Sequence, residues 1–415
     1  MHEQDAVLVE KITEKLGKAP FISYDSEGHP VLLVLVTKAS THIPEEVWAC
    51  HSIQELRLVG FHLDRLPADI EHLTQLRRLR IGSSTIGAFP ASMHTLSQLD
   101  ELVVDQGHLE DISALFSLPA LRSLRLKRCG LHQLAPEIER LQQLEVLELP
   151  QNQLRYLPPT LGALEQLQEL DLSLNPIEDL PASLYQLRRL QKLRLWHTAI
   201  RSVSPLLGQL ASLQQLSLGF TPLAELPIEI GRLTALSSLD LEHTSLRVLP
   251  DSLWNLADLQ VLMLSHTPLG SLPSELSRLM HLTALYLSAT GLATLPAELW
   301  ELNSLRILQI SELGLHELPP EIGQLTRLEA LYARRNLLQQ LPSEMRRLEQ
   351  LKTLDISENP LVELPSWLAD LPKLEALDVY DLPQLRIPPQ DVIKQGRDAI
   401  MAYLRKRTTS DDVRA

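Results

Sequence analysis

A leucine-type residue opens a new repeat every 23 residues along almost the whole chain. The series runs through Ile53, Leu76, Leu99, Leu121, Leu144, Leu167, Leu190, Leu213, Leu236, Leu259, Leu282, Leu305, Leu328, Leu351 and Leu374. One step, from Leu99 to Leu121, is a residue shorter. A degenerate repeat from Val31, with Ile43 and Pro44 at its Leu-Pro step, brings the number to sixteen. A fixed period of this length is the signature of a solenoid.

The spacing inside a repeat predicts a strand, a turn and a short helical segment. The pattern is L-x-x-L-x-L-x-x-[NT]-x-L-x-x-L-P-x-x-[LI]-x-x-L-x-x. Alternation in L-x-L puts leucines on one face of a strand, and the Leu-Pro step turns the chain away from it. The following [LI]-x-x-L suits a short helical or 3-10 segment. Because one repeat cannot bury its leucines alone, stacked repeats must share one core beneath a parallel sheet.

This pattern resembles the leucine-rich repeat family, in its 23-residue bacterial and intracellular class with the LPxxL motif, over residues 31–388. The resemblance implies an α/β solenoid, a curved horseshoe of about 16 repeats. A parallel β-sheet is expected on its concave face, with short helical or 3-10 segments on its convex face. Around it the sequence predicts an N-terminal helix and hairpin cap at 1–30, a C-terminal capping helix at 389–407 and a disordered tail at 408–415.

Position nine of the repeat is mainly asparagine or threonine. In the leucine-rich repeat family this side chain points inward and bonds the backbone of adjacent repeats. We therefore expect a structural ladder, which would be thinner at threonine because its side chain makes fewer hydrogen bonds than asparagine. The ladder residues are Cys129, Asn152, Asn175, Thr198, Thr221, Thr244, Thr267, Thr290, Asn336 and Asn359.

Positions three, five, seven and eight are expected to face the concave surface, where there is no core to fill. Large apolar, aromatic and acidic residues there predict a binding surface for a protein partner. The predicted partner-binding residues are Trp196, His197, Phe220, Asp240, Glu242, His243, Met263, His266, Tyr286 and Tyr332. The alternative is that single exposed aromatic residues are ordinary on a protein surface.

The His-Thr pair occurs three times, and two of its histidines, His243 and His266, fall at equivalent places in adjacent repeats beside Glu242. Zinc requires three or four ligands in firm geometry, and no cysteine lies near them. We expect neither a metal nor another cofactor, and interpret the histidines as part of a binding face.

Charged residues of the earlier repeats form a possible groove. They are Arg57, Arg78, Arg80, Arg125, Lys127, Glu148 and Asp171. The groove would orient a complementary protein, or the same side chains would form cross-strand ion pairs of little energetic value. The net charge of −14 disfavours a nucleic acid partner.

No nucleotide-binding, metalloprotease or hydrolase motif occurs, so we expect no enzymatic activity. The sequence predicts a protein-protein interaction scaffold. One alternative is a secreted bacterial effector that engages a host signalling protein. Another is the sensing region of a ubiquitin ligase or of a Roco-type GTPase. The C-terminal segment of this chain, IPPQDVIKQGRDAIMAYLRKR, resembles the segment that follows the repeats in Roco-type proteins. Two cysteines, no signal peptide and no long apolar run predict a cytoplasmic location, or delivery into a host cell, without membrane insertion.

Overall fold

The computed structural model describes residues 3–292 and 294–411, in two compact units. Unit 1 comprises Met1–Ile200 with Gln209–Leu213, and unit 2 comprises Arg201–Gly208 with Gln214–Ala415. In both, short parallel strands alternate with 3-10 helices, as the sequence predicts for a leucine-rich repeat solenoid. We call the strand side of each unit its sheet face. Sixteen repeat strands lie within the described residues, one for each repeat found in the sequence.

Unit 1 begins with a helix and a hairpin that precede the repeats. Helix α1 spans Glu3–Leu16, strand β1 spans Phe21–Tyr24 and strand β2 spans Pro30–Ser40. The Asp25 amide donates to the His29 carbonyl at 2.9 Å, which closes the turn between β1 and β2. Strand β2 pairs antiparallel with β1 and parallel with the next repeat strand, so it is both the second arm of the hairpin and the first repeat strand.

The remaining strands of unit 1 are β3 Glu55–Leu63, β4 Arg78–Gly82, β5 Thr85–Ile86, β6 Glu101–Asp105, β7 Ser123–Lys127, β8 Val146–Glu148, β9 Glu169–Asp171 and β10 Lys192–Arg194. Strand β5 is a short addition paired with the end of β3. The 3-10 helices are Glu45–Ala49, Ala68–His72, Ala91–Thr95, Ser113–Ser117, Pro136–Arg140, Pro159–Ala163 and Ala182–Gln186. A further one, Pro205–Gln209, contains residues assigned to both units.

The strands of unit 2 are β11 Gln215–Ser217, β12 Ser238–Asp240, β13 Val261–Met263, β14 Ala284–Tyr286, β15 Ile307–Gln309, β16 Ala330–Tyr332, β17 Thr353–Asp355 and β18 Ala376–Asp378. Its 3-10 helices are Ile228–Arg232, Asp251–Asn255, Ser274–Arg278, Ala297–Glu301, Pro320–Gln324, Ser343–Arg347 and Ser366–Asp370. Parallel pairing brings equivalent repeat positions side by side, as with Leu239 and Leu262.

The leucines of each repeat form the core between the strands and the 3-10 helices. Leu236, Leu239 and Leu241, at positions one, four and six of one repeat, have no exposed surface. Burying one such side chain stabilises the fold by about 1.5–3 kcal/mol. The proline of the Leu-Pro step starts the 3-10 helix: Pro250 accepts a hydrogen bond from the Leu253 amide at 2.9 Å.

The shortened repeat replaces this proline with a side-chain cap. Its 3-10 helix begins at Ser113, after a segment that lacks the Leu-Pro step. The Asp111 carboxylate accepts from the Ser113 amide at 2.7 Å and from the Ser113 hydroxyl at 2.9 Å. An aspartate in this role bonds an amide that the start of a helix otherwise leaves unpaired. The sequence pattern is lost here, but the local structure is retained.

Position eight of the repeat has a left-handed backbone, which the spacing did not predict. Its φ is between 48° and 74° at Ser83, Gln106, Arg128, Gln151, Leu174, His197, Phe220, His243, His266, Ala289, Glu312, Arg335, Glu358 and Asp381. This conformation costs a residue with a side chain about 1–2 kcal/mol. It is held by a second set of backbone bonds beyond the strands. The His243 amide donates to Ser265 of the next repeat at 2.9 Å, and the His266 amide to Ser288 at 2.7 Å.

The position-nine side chains point inward and bond the backbone. The Asn336 oxygen accepts from the Leu313 and Leu315 amides of the preceding repeat, each at 3.1 Å. Its amide group donates to carbonyls of both repeats, including Ile310 at 2.9 Å. Threonine does less: Thr290 donates only to Leu287 of its own repeat, at 2.8 Å, although Thr267 reaches back to the carbonyl of Leu241. Cys129 bonds the Lys127 carbonyl, and burial raises its pKa to about 12.

The C-terminal segment differs from the single helix expected at 389–407. Helix α2 spans Gln390–Ile393 and helix α3 spans Arg397–Asp411, with Gly396 at φ 88° between them. The Arg397 guanidinium donates to the Leu374 carbonyl of the last repeat. Residues 408–411, expected to belong to the tail, lie within α3. Residues 412–415 of that predicted tail lie outside the described residues.

We expect Asn336→Ala to destabilise unit 2 by about 2–4 kcal/mol, because it leaves two buried amides without an acceptor. Thr290→Ala removes a single side-chain bond from an equally buried site and should cost about 1 kcal/mol. Urea unfolding of both variants followed by circular dichroism measures the difference. Equal losses would contradict the unequal roles of asparagine and threonine.

Candidate functional site

The sheet face of unit 2 carries a row of large side chains at repeat position five. Strand pairing places Asp240 beside Met263, Met263 beside Tyr286, and Tyr332 two strands beyond Tyr286. All four are partly exposed. Burial raises the pKa of the Tyr286 phenol, and the nearby charges of Glu242 and Tyr332 act in the same direction. The row therefore has an acidic end next to an apolar and phenolic middle.

The Asp240 and Glu242 carboxylates form the acidic end. Asp240 accepts from the Ser217 hydroxyl at 2.6 Å and from the Glu242 amide at 3.1 Å. Burial raises the pKa of the Glu242 carboxyl; Asp240 adds to this, while Ser265 and His266 oppose it. Gly219 lies so close to Asp240 that a Cβ there would be 2.7 Å from a carboxylate oxygen. Within the described residues, neither carboxylate pairs with a lysine or arginine.

Three rings at position eight of successive repeats stack along the edge of this face. The Phe220 and His243 ring centroids are 4.0 Å apart with a 28° interplanar angle. The His243 and His266 centroids are 4.1 Å apart at 13°. We call Phe220, His243 and His266 the ring stack. Burial lowers the pKa of the His243 imidazole, with the neighbouring His266 adding to this and Asp240 opposing it. The neutral form of the His243 ring is therefore favoured within the stack.

Trp196 and His197, the remaining predicted partner-binding residues, belong to unit 1. Their ring centroids are 5.4 Å apart with a 36° tilt. His197 is exposed and Trp196 is partly exposed. They form an aromatic pair just after β10, the last repeat strand of unit 1. The geometry of the ring stack and of the position-five row concerns unit 2 alone.

The charged residues of unit 1 are joined by cross-strand ion pairs. Glu101 lies 3.1 Å from Arg80 and 3.2 Å from Arg125, and Arg125 also reaches Glu148 at 3.1 Å. Of the other residues predicted to line the charged groove, Arg57 and Arg78 pair with Glu55. Lys127 is exposed, and Asp171 accepts from the Ser173 amide. Much of the predicted basic groove is thus neutralised by its own neighbours.

Neither a metal-binding cluster nor a membrane-spanning helix is found in the described part of the chain. Within residues 3–292 and 294–411, no three His, Cys, Asp or Glu side chains are placed to hold a metal ion. No helix in the same residues combines the length and apolar character needed to cross a bilayer.

Comparison with known proteins assigns the family. The family model described as leucine-rich repeat region matches residues 103–216, and the model described as Leucine Rich Repeat matches residues 350–371. A solved leucine-rich repeat protein from Leptospira interrogans is 30% identical, with a TM-score of 0.77 over 83% of this chain and 89% of its own. The chain belongs to the leucine-rich repeat family.

More distant solved structures share the fold. The functional domain of InlJ from Listeria monocytogenes is 20% identical, with a TM-score of 0.67 over 83% of this chain and 71% of its own. The plant peptide hormone receptor RGFR1, solved in complex with RGF2, is 23% identical, with a TM-score of 0.58 over 87% of this chain and 71% of its own. A search of curated proteins gave no match.

Sequence reasoning placed the ring residues on a common surface but missed their stacking. The signal available was the recurrence of a ring at position eight in consecutive repeats of this leucine-rich repeat chain. Their contact depends on the left-handed backbone at that position. Only glycine and asparagine commonly indicate this conformation in a sequence, so the residue types found here did not predict it.

We expect Glu242→Gln to raise the stability of unit 2 at pH 7. The folded chain holds the Glu242 proton more tightly than the unfolded chain, so stability falls as pH rises from the ordinary 4.5 through the folded pKa. Glutamine keeps the size of the side chain but has no carboxyl group to ionise, so this loss of stability with rising pH disappears. Urea unfolding at pH 4.5 and pH 7 measures it. The exposed Glu301→Gln is the matched control, and an equal change in both variants would contradict the assignment.

Proposed function

We propose that this leucine-rich repeat chain is a non-enzymatic scaffold that binds a protein partner on the sheet face of unit 2. The observation that carries the proposal is the position-five row of Met263, Tyr286 and Tyr332, bordered by the ring stack. These side chains are partly exposed, and no element of the described residues covers them. Aromatic residues and methionine are enriched in protein interfaces, where aromatic residues often supply most of the binding energy.

The polar groups of the face favour a protein over a nucleic acid or a reacting substrate. Asp240 and Glu242 would repel a phosphate backbone, in a chain whose net charge is −14. Open repeat surfaces of this kind serve extended contacts in other solenoids. Catalysis by two carboxylates depends on a cleft that holds the substrate between them and sets their pKa values apart, and these two lie on an open sheet face.

The two alternatives from the sequence use the same face. A cytoplasmic adaptor, an effector delivered into a host cell and the sensing region of a larger GTPase or ligase would each present unit 2 to a protein. They differ in where the partner resides. Capture from lysate of the source organism favours an adaptor or a sensing region, whereas capture only from host-cell lysate favours the effector.

We expect Met263→Ala combined with Tyr286→Ala to lose the partner and keep the fold. Truncating two anchors of an interface each worth about 1–2 kcal/mol should weaken binding roughly 30-fold to 1000-fold. Affinity capture from lysate with quantitative mass spectrometry measures the loss, and circular dichroism verifies the fold.

The matched control for this variant is Ile228→Ala combined with Val248→Ala. Both side chains are large, apolar and 69% and 76% exposed in unit 2, but they lie outside the sheet face. The control should capture the same proteins as the unmodified chain. A partner retained by the Met263/Tyr286 variant and lost by the control would move the binding surface to the other side of unit 2.

A further inference from the structure

The ring stack stops at a position where the repeat could hold another ring. His266 is stacked on His243, and position eight of the next repeat is Ala289. Ala289 has the same left-handed backbone, with φ 53°, and its amide donates to Ser311 at 3.0 Å, continuing the ladder that holds the rings. Only the side chain differs. On the side of His266 away from His243, the next repeat therefore supplies only the methyl group of Ala289 and not another ring.

Small and acidic residues surround this gap. Ser288, at position seven of the same repeat, is buried, and its backbone carbonyl accepts from the His266 amide at 2.7 Å. Glu312, at position eight of the following repeat, stands on the far side and is 42% exposed. Glu242 and Tyr286 lie towards the sheet, close enough that the Glu242 charge acts on the Tyr286 phenol. We call the space above Ala289, between His266 and Glu312, the Ala289 slot.

The charges around the slot favour a cation. Glu312 is 3.2 Å from Arg335, which also reaches Glu358 at 2.6 Å, and Arg334 pairs with Glu358 as well, so two glutamates and two arginines balance there. Asp240 and Glu242 add two negative charges for which the described residues supply no lysine or arginine. The shape of the slot favours a planar group, because its one ring wall is a flat imidazole and repeat spacing leaves about 4.8 Å per repeat.

We propose that the Ala289 slot receives an arginine side chain of the protein partner, with its guanidinium stacked on His266 and directed towards Glu312. Arginine is the side chain that is both planar and cationic, and it stacks on aromatic faces while bonding carboxylates. A lysine ammonium would pair with the carboxylates but could not stack on His266 as a planar group. A tyrosine ring would stack on His266 but carries no positive charge for the carboxylates. The inference rests on the proposed partner-binding function of unit 2 and specifies the chemistry of its partner.

Titration with N-acetyl-arginine amide tests the slot directly. The full chain is labelled with ¹³C-histidine and studied by NMR at pH 8, where an ordinary imidazole is neutral. The His266 ring signal is identified by its loss in His266→Gln. We expect a saturable shift of that signal, with N-acetyl-lysine amide, N-acetyl-citrulline amide and N-acetyl-tyrosine amide binding about two- to fivefold more weakly.

Ala289→Phe fills the slot with a ring of the chain itself and should abolish the shift. The backbone accepts this change, because Phe220 and His243 already hold rings at φ 56° and 52°. Gln151→Phe is the matched control: it adds the same ring at φ 57° in unit 1 and should leave the shift intact. An arginine shift that survives Ala289→Phe, or that is absent from His266, overturns the proposal. Stronger binding of the tyrosine amide replaces the guanidinium with an aromatic occupant and also overturns it.

The titration tests the Ala289 slot and the capture experiment tests the binding face, so either proposal can be contradicted without the other. If arginine amide does not bind at His266 while Met263→Ala with Tyr286→Ala still loses the partner, the face is right and the Ala289 slot is wrong. If arginine amide binds and is blocked by Ala289→Phe, while captured proteins are indifferent to Met263 and Tyr286, the slot stands and the proposed binding face does not.

Discussion

Hydrogen bonding from each repeat to the next is the constraint on which this leucine-rich repeat chain depends. A strand of three residues has no backbone partner within its own repeat, and leucines such as Leu239 are covered only when another repeat packs beside them. Three sets of hydrogen bonds join one repeat to the next: those between paired strands, those of the position-eight amides and those of the position-nine side chains. Stability is therefore a sum over neighbouring repeats, and the fold tolerates the loss of the Leu-Pro step where Asp111 supplies a local replacement.

The left-handed residue at position eight connects this scaffold to the candidate site. Because the backbone repeats the same conformation, side chains at that position leave the chain in the same direction, one repeat apart. Rings in successive repeats are then brought into contact, as in Phe220, His243 and His266. The recurring His-Thr pair thus combines two separate roles: Thr244 and Thr267 bond inward to the backbone, and the histidines stack outward at the edge of the sheet face.

Charge is distributed differently on the sheet faces of the two units. In unit 1 the arginines around Glu101 are paired with carboxylates on adjacent strands, and exposed pairs of this kind contribute little to stability. In unit 2 the Asp240 carboxylate accepts from the Ser217 hydroxyl and the Glu242 backbone amide, and neither Asp240 nor Glu242 pairs with a lysine or arginine in the described residues. Carboxylates left without a counter-charge beside exposed aromatic rings are a feature by which a surface selects a cationic partner.

The repeat length, the number of repeats, the buried leucines, the Leu-Pro turns and the row of residues on the sheet face could all be predicted from the amino-acid sequence, because each follows from a local period of apolar residues. The sequence also identified most candidate binding residues by position, and their binding role stays a proposal. The left-handed backbone at position eight, the ring stack, the ion pairs around Glu101 and the division of the C-terminal segment into α2 and α3 became apparent only in the folded chain. Those features arise from bonds and contacts between repeats, and residues 23 positions apart reveal no such contact until the chain is stacked.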